Sequence, residues 1–74
     1  MGKLRVLSGR EVCEILTENG FSFARHGKGD HDIYQKQTSD TTITVPVPLH
    51  RELAVGTLSS IIRQSGLPRG LFEA

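Results

Sequence analysis

Apolar residues recur every three or four positions in two stretches of the chain, and this spacing predicts two amphipathic helices. The first is predicted over residues 8–19, because Ser8 and Glu11 have the spacing of a capping box and Gly20 can end the helix in a left-handed conformation. The second is predicted over residues 57–65, with Thr57 as its N-cap and Gly66 as the glycine that ends it.

Between the helices the pattern changes to alternation, which predicts three β-strands at residues 21–26, 31–36 and 41–47. Pro46 and Pro48 end the third strand or mark a sheet edge, because proline donates no backbone hydrogen bond. Short connections favour an antiparallel meander. The chain is therefore predicted to have an α+β fold in the order α-β-β-β-α, with both helices on one face of a three-stranded antiparallel sheet.

A length of 74 residues predicts one small domain, with residues 1–7 extended and residues 69–74 a loose tail. The longest apolar run has three residues, so no membrane partner is expected. Cys13 has no second cysteine to pair with, which favours a cytoplasmic protein and a packing role on the helix over a reactive thiol. Because so small a core is marginal, a partner protein or a weakly associated second copy is expected to add stability.

Charge does not decide the class of partner, since 9 Lys and Arg against 8 Asp and Glu give a net charge of only +1. The densest group of polar side chains is residues 25–32, at the predicted turn between the first two strands. One hypothesis is a solvated hairpin, which needs Gly and Asp for its backbone angles. Another is a general acid/base at His31, oriented by Asp30 or Asp32. The candidate phosphate ligands beside it are Arg25 and Lys28.

Two further hypotheses concern the same turn. A divalent metal could be bound by two histidines and two aspartates, but their spacing matches no known ligand motif, and neighbouring strand residues point to opposite faces. We therefore expect no metal and no cofactor. Alternatively, Lys28 lies between Gly27 and Gly29, and backbone N–H groups made accessible by the glycines could hold a phosphodiester. The four residues weighed as metal ligands are His26, Asp30, His31 and Asp32.

The alternation of the second strand leaves the placement of His31 open. His31 shares one face with Ile33, and Asp32 shares the other with Tyr34. If Ile33 packs on the helices, His31 must emerge at the rim of the sheet; if Tyr34 does, His31 lies on the open face. The rim is favoured because His31 is the first residue of the strand.

Taken together, several segments resemble HicA-type (YcfA-like) toxins, the mRNA interferases of bacterial HicA–HicB toxin–antitoxin systems. No single segment is specific, but the Gly-Thr-Leu-x-Ser-Ile segment after a Thr-Val-Pro strand and a glycine-histidine hairpin is a fairly specific combination. The resemblance covers most of the chain. Its segments are residues 8–12, 19–21, 29–34, 44–47, 53–62 and 65–67.

The resemblance implies a fold like that of double-stranded-RNA-binding domains and RNA cleavage dependent on one histidine. That histidine corresponds to His31, and Gly29 before it would permit close approach of the RNA backbone. The resemblance also implies a HicB-like antitoxin partner that covers the site. The second proton-transfer role is unassigned, with His26 the nearest candidate. The alternative function is a weakly active or non-catalytic module that binds RNA or the antitoxin.

Overall fold

The computed structural model describes residues 2–74 and confirms the predicted α+β fold. The three strands form one antiparallel sheet in the order β1-β2-β3, and the chain order is α-β-β-β-α followed by a short 3₁₀ helix. None of the helices within residues 2–74 has the length and apolar character needed to cross a membrane. The elements are α1 Gly9–Glu18, β1 Ser22–His26, β2 His31–Gln37, β3 Thr42–Pro48, α2 Val55–Ser65 and the 3₁₀ helix Arg69–Phe72.

Helix α1 begins with the predicted capping box. The Ser8 hydroxyl accepts a hydrogen bond from the Glu11 N–H at 3.1 Å, and the Glu11 carboxylate accepts one from the Ser8 N–H at 2.9 Å. The helix ends at Glu18 with Asn19 as its C-cap, and Gly20 has a φ of 94°, which a residue without Cβ adopts readily. Both ends of α1 are therefore determined by residues recognisable in the sequence.

Helix α2 begins two residues earlier than predicted, so the assignment of Thr57 as its N-cap is wrong. The N-cap is Ala54, whose extended backbone places its carbonyl to accept a hydrogen bond from the Leu58 N–H at 2.9 Å. No side chain caps this end. The predicted end is confirmed, because Gly66 has a φ of 71° and its N–H donates to the Arg63 carbonyl.

The sheet has one face covered by helices and one face turned away from them. Val45 and Val47 of β3 are fully buried in the core that both helices complete. Tyr34 of β2 lies opposite Val45 and packs against this core, whereas Ile33 lies opposite Pro46 on the other face. The core residues of the helices are Val12, Cys13, Ile15, Leu16, Leu58, Ile61 and Ile62.

The prediction of a loose tail over residues 69–74 is wrong. Phe72 is 0% exposed and belongs to the core, and its carbonyl accepts a hydrogen bond from the Arg5 N–H at 2.8 Å. Leu4 and Glu73 form an isolated antiparallel bridge. The tail is held because it offers a large apolar side chain and because the N-terminal segment supplies backbone partners. Met1 lies outside the described residues.

Candidate functional site

The turn between β1 and β2 has a backbone conformation that depends on glycine. Gly29 has a φ of 61°, and the His31 N–H donates a hydrogen bond to the Lys28 carbonyl at 3.2 Å. The Gly27 N–H donates to the His31 carbonyl at 2.7 Å and closes the hairpin. Glycine suits the left-handed position because it has no Cβ to clash with the backbone. The turn thereby fixes the backbone of His31 at the first position of β2.

His31 is exposed on the face of the sheet opposite to the one that packs on the helical core, and α2 borders this face only beside the edge strand β3. It lies opposite Pro48 in β3 and has the same strand parity as Ile33. Because Tyr34, and not Ile33, packs on the helical core, the expectation that Ile33 faces the helices is wrong. His31 thus lies at the end of its strand and on the open face.

A backbone carbonyl orients the imidazole of His31. Its Nδ1 lies 3.2 Å from the Lys28 carbonyl oxygen. A carbonyl only accepts hydrogen bonds, so Nδ1 carries the hydrogen in this contact and the lone pair of the neutral ring is on Nε2. Lys28 therefore holds His31 in the tautomer whose Nε2 can accept a proton.

His31 lines a groove of about 410 Å³ together with residues of β3, the following segment and α2. The groove contains a second histidine, His50, which the sequence analysis did not connect with His31. The two are distant in the chain and no spacing motif links them. The other residues of the groove are Pro46, Pro48, Thr57, Ser60, Ile61 and Gln64.

Asp30 is directed to His50 and not to His31. One Asp30 carboxylate oxygen lies 4.0 Å from Nε2 of His50, a charge contact longer than a hydrogen bond. The backbones are tied more closely, because the Leu49 N–H donates to the Asp30 carbonyl at 2.9 Å. The hypothesis that Asp30 orients His31 is therefore not supported by the geometry.

Asp32 and His26 form a separate pair on the helix-facing side of β1 and β2. The Nδ1 of His26 lies 2.7 Å from the Asp32 carboxylate, and the Asp32 side chain is only 15% exposed. Both line a second groove of about 830 Å³ along α1. His31 does not line this larger groove, because strand parity places it on the opposite face of the sheet from the His26–Asp32 pair. Neither residue orients His31.

The second groove is also lined by Cys13, which is buried, and by Tyr34, which is partly buried. Burial raises the pKa of the Cys13 thiol, and only 6% of Cys13 is exposed, which agrees with a packing role and opposes a reactive thiol. Burial, together with the neighbouring Cys13 thiol, raises the pKa of Tyr34 to about 12. Cys13 of α1 and Tyr34 of β2 lie between the helix and the sheet, and neither lines the groove of His31.

The predicted phosphate ligands remain available on the surface. Arg25 lies opposite Ile33, and Ile33 is on the same face of β2 as His31. Arg25 is therefore on the face of His31, and Lys28 is exposed in the turn. Within residues 2–74 neither cation has a carboxylate partner within 4.0 Å. In the same part of the chain, no three His, Cys, Asp or Glu side chains come together in a way that could hold a metal ion.

Comparison with models of known protein families identifies a match over most of the chain. The model of a protein family described as HicA toxin of bacterial toxin-antitoxin matches residues 9–67 of the 74-residue chain. This range extends from the first residue of α1 to just beyond α2 and includes both histidines of the groove. Among curated proteins none matches the chain.

Proposed function

The chain belongs to the HicA toxin family of bacterial toxin–antitoxin systems, and from this premise we propose that it is an endoribonuclease that cleaves mRNA through His31. The observation that supports the proposal is the exposure and the hydrogen bonding of the His31 imidazole. It is exposed in a groove, its Nδ1 is committed to the Lys28 carbonyl, and its Nε2 is open to a substrate. An imidazole with one nitrogen hydrogen-bonded to the protein and the other unoccupied can accept a proton from a bound substrate, as general acid/base catalysis requires.

The reaction follows from what an imidazole can do beside a ribose phosphate. Nε2 of His31 accepts the proton of the 2′-hydroxyl, whose oxygen attacks the adjacent phosphorus. Arg25 and Lys28 bind the non-bridging phosphate oxygens through charge-assisted hydrogen bonds. DNA has no 2′-hydroxyl and cannot react in this way, so the substrate is RNA. The mechanism asks no metal ion to activate the nucleophile.

The partner is a HicB-like antitoxin that covers the groove and keeps RNA from His31. A toxin that cleaves mRNA must be inhibited in the cell that makes it, and the exposed histidine offers a compact target. We place both proteins in the cytoplasm, where mRNA is found. A complex of toxin and antitoxin should therefore not cleave RNA, and the free toxin should.

The test is cleavage of a single-stranded RNA by the purified chain, compared with the His31→Ala variant in the presence of EDTA. We expect the substitution to lower the rate by about 10²–10⁴-fold, the range that general acid/base groups contribute. Gel electrophoresis of end-labelled RNA measures the rate.

The matched control is His26→Ala, because His26 is also an exposed histidine of the hairpin but is hydrogen-bonded to Asp32 on the other face. This variant should cleave as the unmodified chain does. Equal cleavage by the unmodified chain and His31→Ala would refute the mechanism. Salt-sensitive RNA binding without cleavage by the unmodified chain would instead assign a non-catalytic RNA-binding module.

A further inference from the structure

The groove of His31 is also lined by a second imidazole, that of His50. We propose that His50 is the general acid that protonates the leaving 5′-oxygen, an inference that rests on the proposed function. Cleavage by attack of the 2′-oxygen needs two proton transfers, and a single histidine must perform both in succession. Two histidines in one groove can divide them.

The position of His50 is fixed by the backbone around it. Its carbonyl accepts a hydrogen bond from the Gly9 N–H at 2.9 Å, at the start of α1. The preceding residue, Leu49, donates its N–H to the Asp30 carbonyl at the end of the turn between β1 and β2, also at 2.9 Å. His50 is therefore anchored to the turn that carries His31, although it belongs to a segment without regular secondary structure.

The charges around the two rings differ in a way that suits different roles. His50 has the Asp30 carboxylate 4.0 Å from its Nε2, and a carboxylate has the charge opposite to that of an imidazolium. His31 instead donates Nδ1–H to a neutral carbonyl and presents a lone pair. From α2, the groove receives only uncharged side chains. These are Thr57, Ser60, Ile61 and Gln64.

The complete step balances with the two histidines and no further reactant. A bond forms between the 2′-oxygen and phosphorus as the 2′-hydroxyl proton passes to Nε2 of His31. The bond between phosphorus and the 5′-oxygen breaks, and that oxygen takes a proton from the imidazolium of His50. The products are a 2′,3′-cyclic phosphate and a 5′-hydroxyl, with one proton gained by His31 and one lost by His50.

The experiment compares two forms of one RNA oligonucleotide: the natural form and one with sulfur in place of the bridging 5′-oxygen at the scissile position. A thiolate leaves without protonation, so it has no need of a general acid. We expect His50→Ala to cleave the natural RNA about 10²-fold more slowly than the unmodified chain, and the sulfur-bridged RNA at nearly the same rate as that chain. We expect His31→Ala to be slow on both.

A second readout is the pH dependence of the rate on natural RNA. With both histidines we expect a bell-shaped profile, and His50→Ala should lose the decline on the alkaline side that deprotonation of the acid causes. The His50 side chain is 57% exposed and its backbone contacts do not involve the ring, so the variant should fold, as circular dichroism can verify. His50→Gln provides a second variant of similar polarity with no titrating group, and we expect it to behave as His50→Ala does.

The outcomes separate the two proposals. If the unmodified chain cleaves and His31→Ala does not, but His50→Ala cleaves natural RNA at full rate, only the role of His50 is refuted. An equal loss on natural and sulfur-bridged RNA would likewise refute it, because a binding or structural role affects both substrates alike. An unmodified chain that cleaves neither RNA refutes the proposed function and the role of His50 with it.

Discussion

A single backbone carbonyl determines which nitrogen of His31 can accept a proton. Residue types alone suggest that Asp30 or Asp32 orients the ring, because carboxylates are frequent partners of histidine. In the folded hairpin the Lys28 carbonyl occupies that place, while the two aspartates contact other histidines. The turn that brings this carbonyl back to His31 depends on the left-handed conformation of Gly29.

Tyr34 gives the clearest pH-dependent prediction of any side chain. It is the only tyrosine, so absorbance of tyrosinate near 295 nm reports it alone, and we expect a titration midpoint near 12 in the folded chain. The folded pKa lies above the ordinary value of 10.0, so the neutral form is the one that folding favours. Its contribution to stability is complete below pH 10 and is lost as the pH rises toward 12.

Tyr34→Phe is the control for that prediction, because it keeps the ring and removes the titrating hydroxyl. Its free energy of unfolding, measured in urea between pH 9 and 11, should decline less steeply with pH than that of the unmodified chain. Equal slopes for the two proteins, or a midpoint of 10 for the tyrosine, would contradict the partly buried environment of Tyr34 beside Cys13.

At the scale of elements, the start of α1 packs directly on the end of β3. A Cβ placed on Gly9 would lie 2.1 Å from the Pro48 carbonyl oxygen and 2.8 Å from Cα of Leu49. Backbone atoms cannot move aside as the end of a side chain can. We therefore expect Gly9→Ala to lower the free energy of unfolding by about 1–3 kcal/mol, the usual cost of overpacking. Urea unfolding followed by circular dichroism measures it.

Gly56 provides the matched control for Gly9. It also lies in the first turn of a helix, but no atom comes within 4 Å of the position its Cβ would take. Alanine restricts the unfolded chain more than glycine does, so Gly56→Ala should stabilise the protein by about 0.5 kcal/mol. If Gly9→Ala were as stable as Gly56→Ala, the close contact between α1 and the end of β3 would be refuted.

The N-terminal and C-terminal segments of the molecule pair with each other and complete the hydrophobic core. Leu4 and Glu73 pair across them, and Phe72 fills the core beside residues of both helices. Removing a buried phenylalanine side chain costs about 3–5 kcal/mol, and small domains have only about 5–15 kcal/mol of stability in total. We therefore expect Phe72→Ala to unfold at a much lower urea concentration than the unmodified chain, or to be unfolded without urea.

Leu71 provides the control for Phe72, because it is the neighbouring apolar residue of the same 3₁₀ helix but is exposed. It is 38% exposed, so Leu71→Ala should change the free energy of unfolding by less than about 1 kcal/mol. Similar small losses for the two variants would mean that the tail is loose after all. The difference between them measures how much of the core the last residues provide.

The molecule also keeps its two His–Asp contacts apart. The His26–Asp32 pair lies in the groove along α1, and the contact between His50 and Asp30 lies beside His31. Adjacent strand residues alternate between faces, so a cluster that looks continuous in the sequence is divided by the sheet. Because of this division His50, and not His26, lines the same groove as His31, which is why the proposed second proton transfer is assigned to His50.

The amino-acid sequence by itself determined the features that depend on neighbours in the chain. The capping box of Ser8 and Glu11, the glycine ends of both helices and the three-stranded meander follow from local backbone preferences and from hydrophobic period. The sequence also indicated His31 as the candidate general acid/base, through its position at the turn and through the family resemblance. Local rules were enough for the helix ends because the residues that cap them are a few positions apart, and for the meander because short connections join its strands.

Tertiary structure alone decided which groups meet across the fold. It placed Tyr34 and not Ile33 on the helical core, brought His50 into the groove of His31, and held Phe72 against the N-terminal segment. It also began α2 at Val55, before the threonine that looked like its cap. Each outcome depends on packing between segments far apart in the chain. The spacing of apolar residues shows which face of an element is buried, but it does not show which distant segment will cover that face.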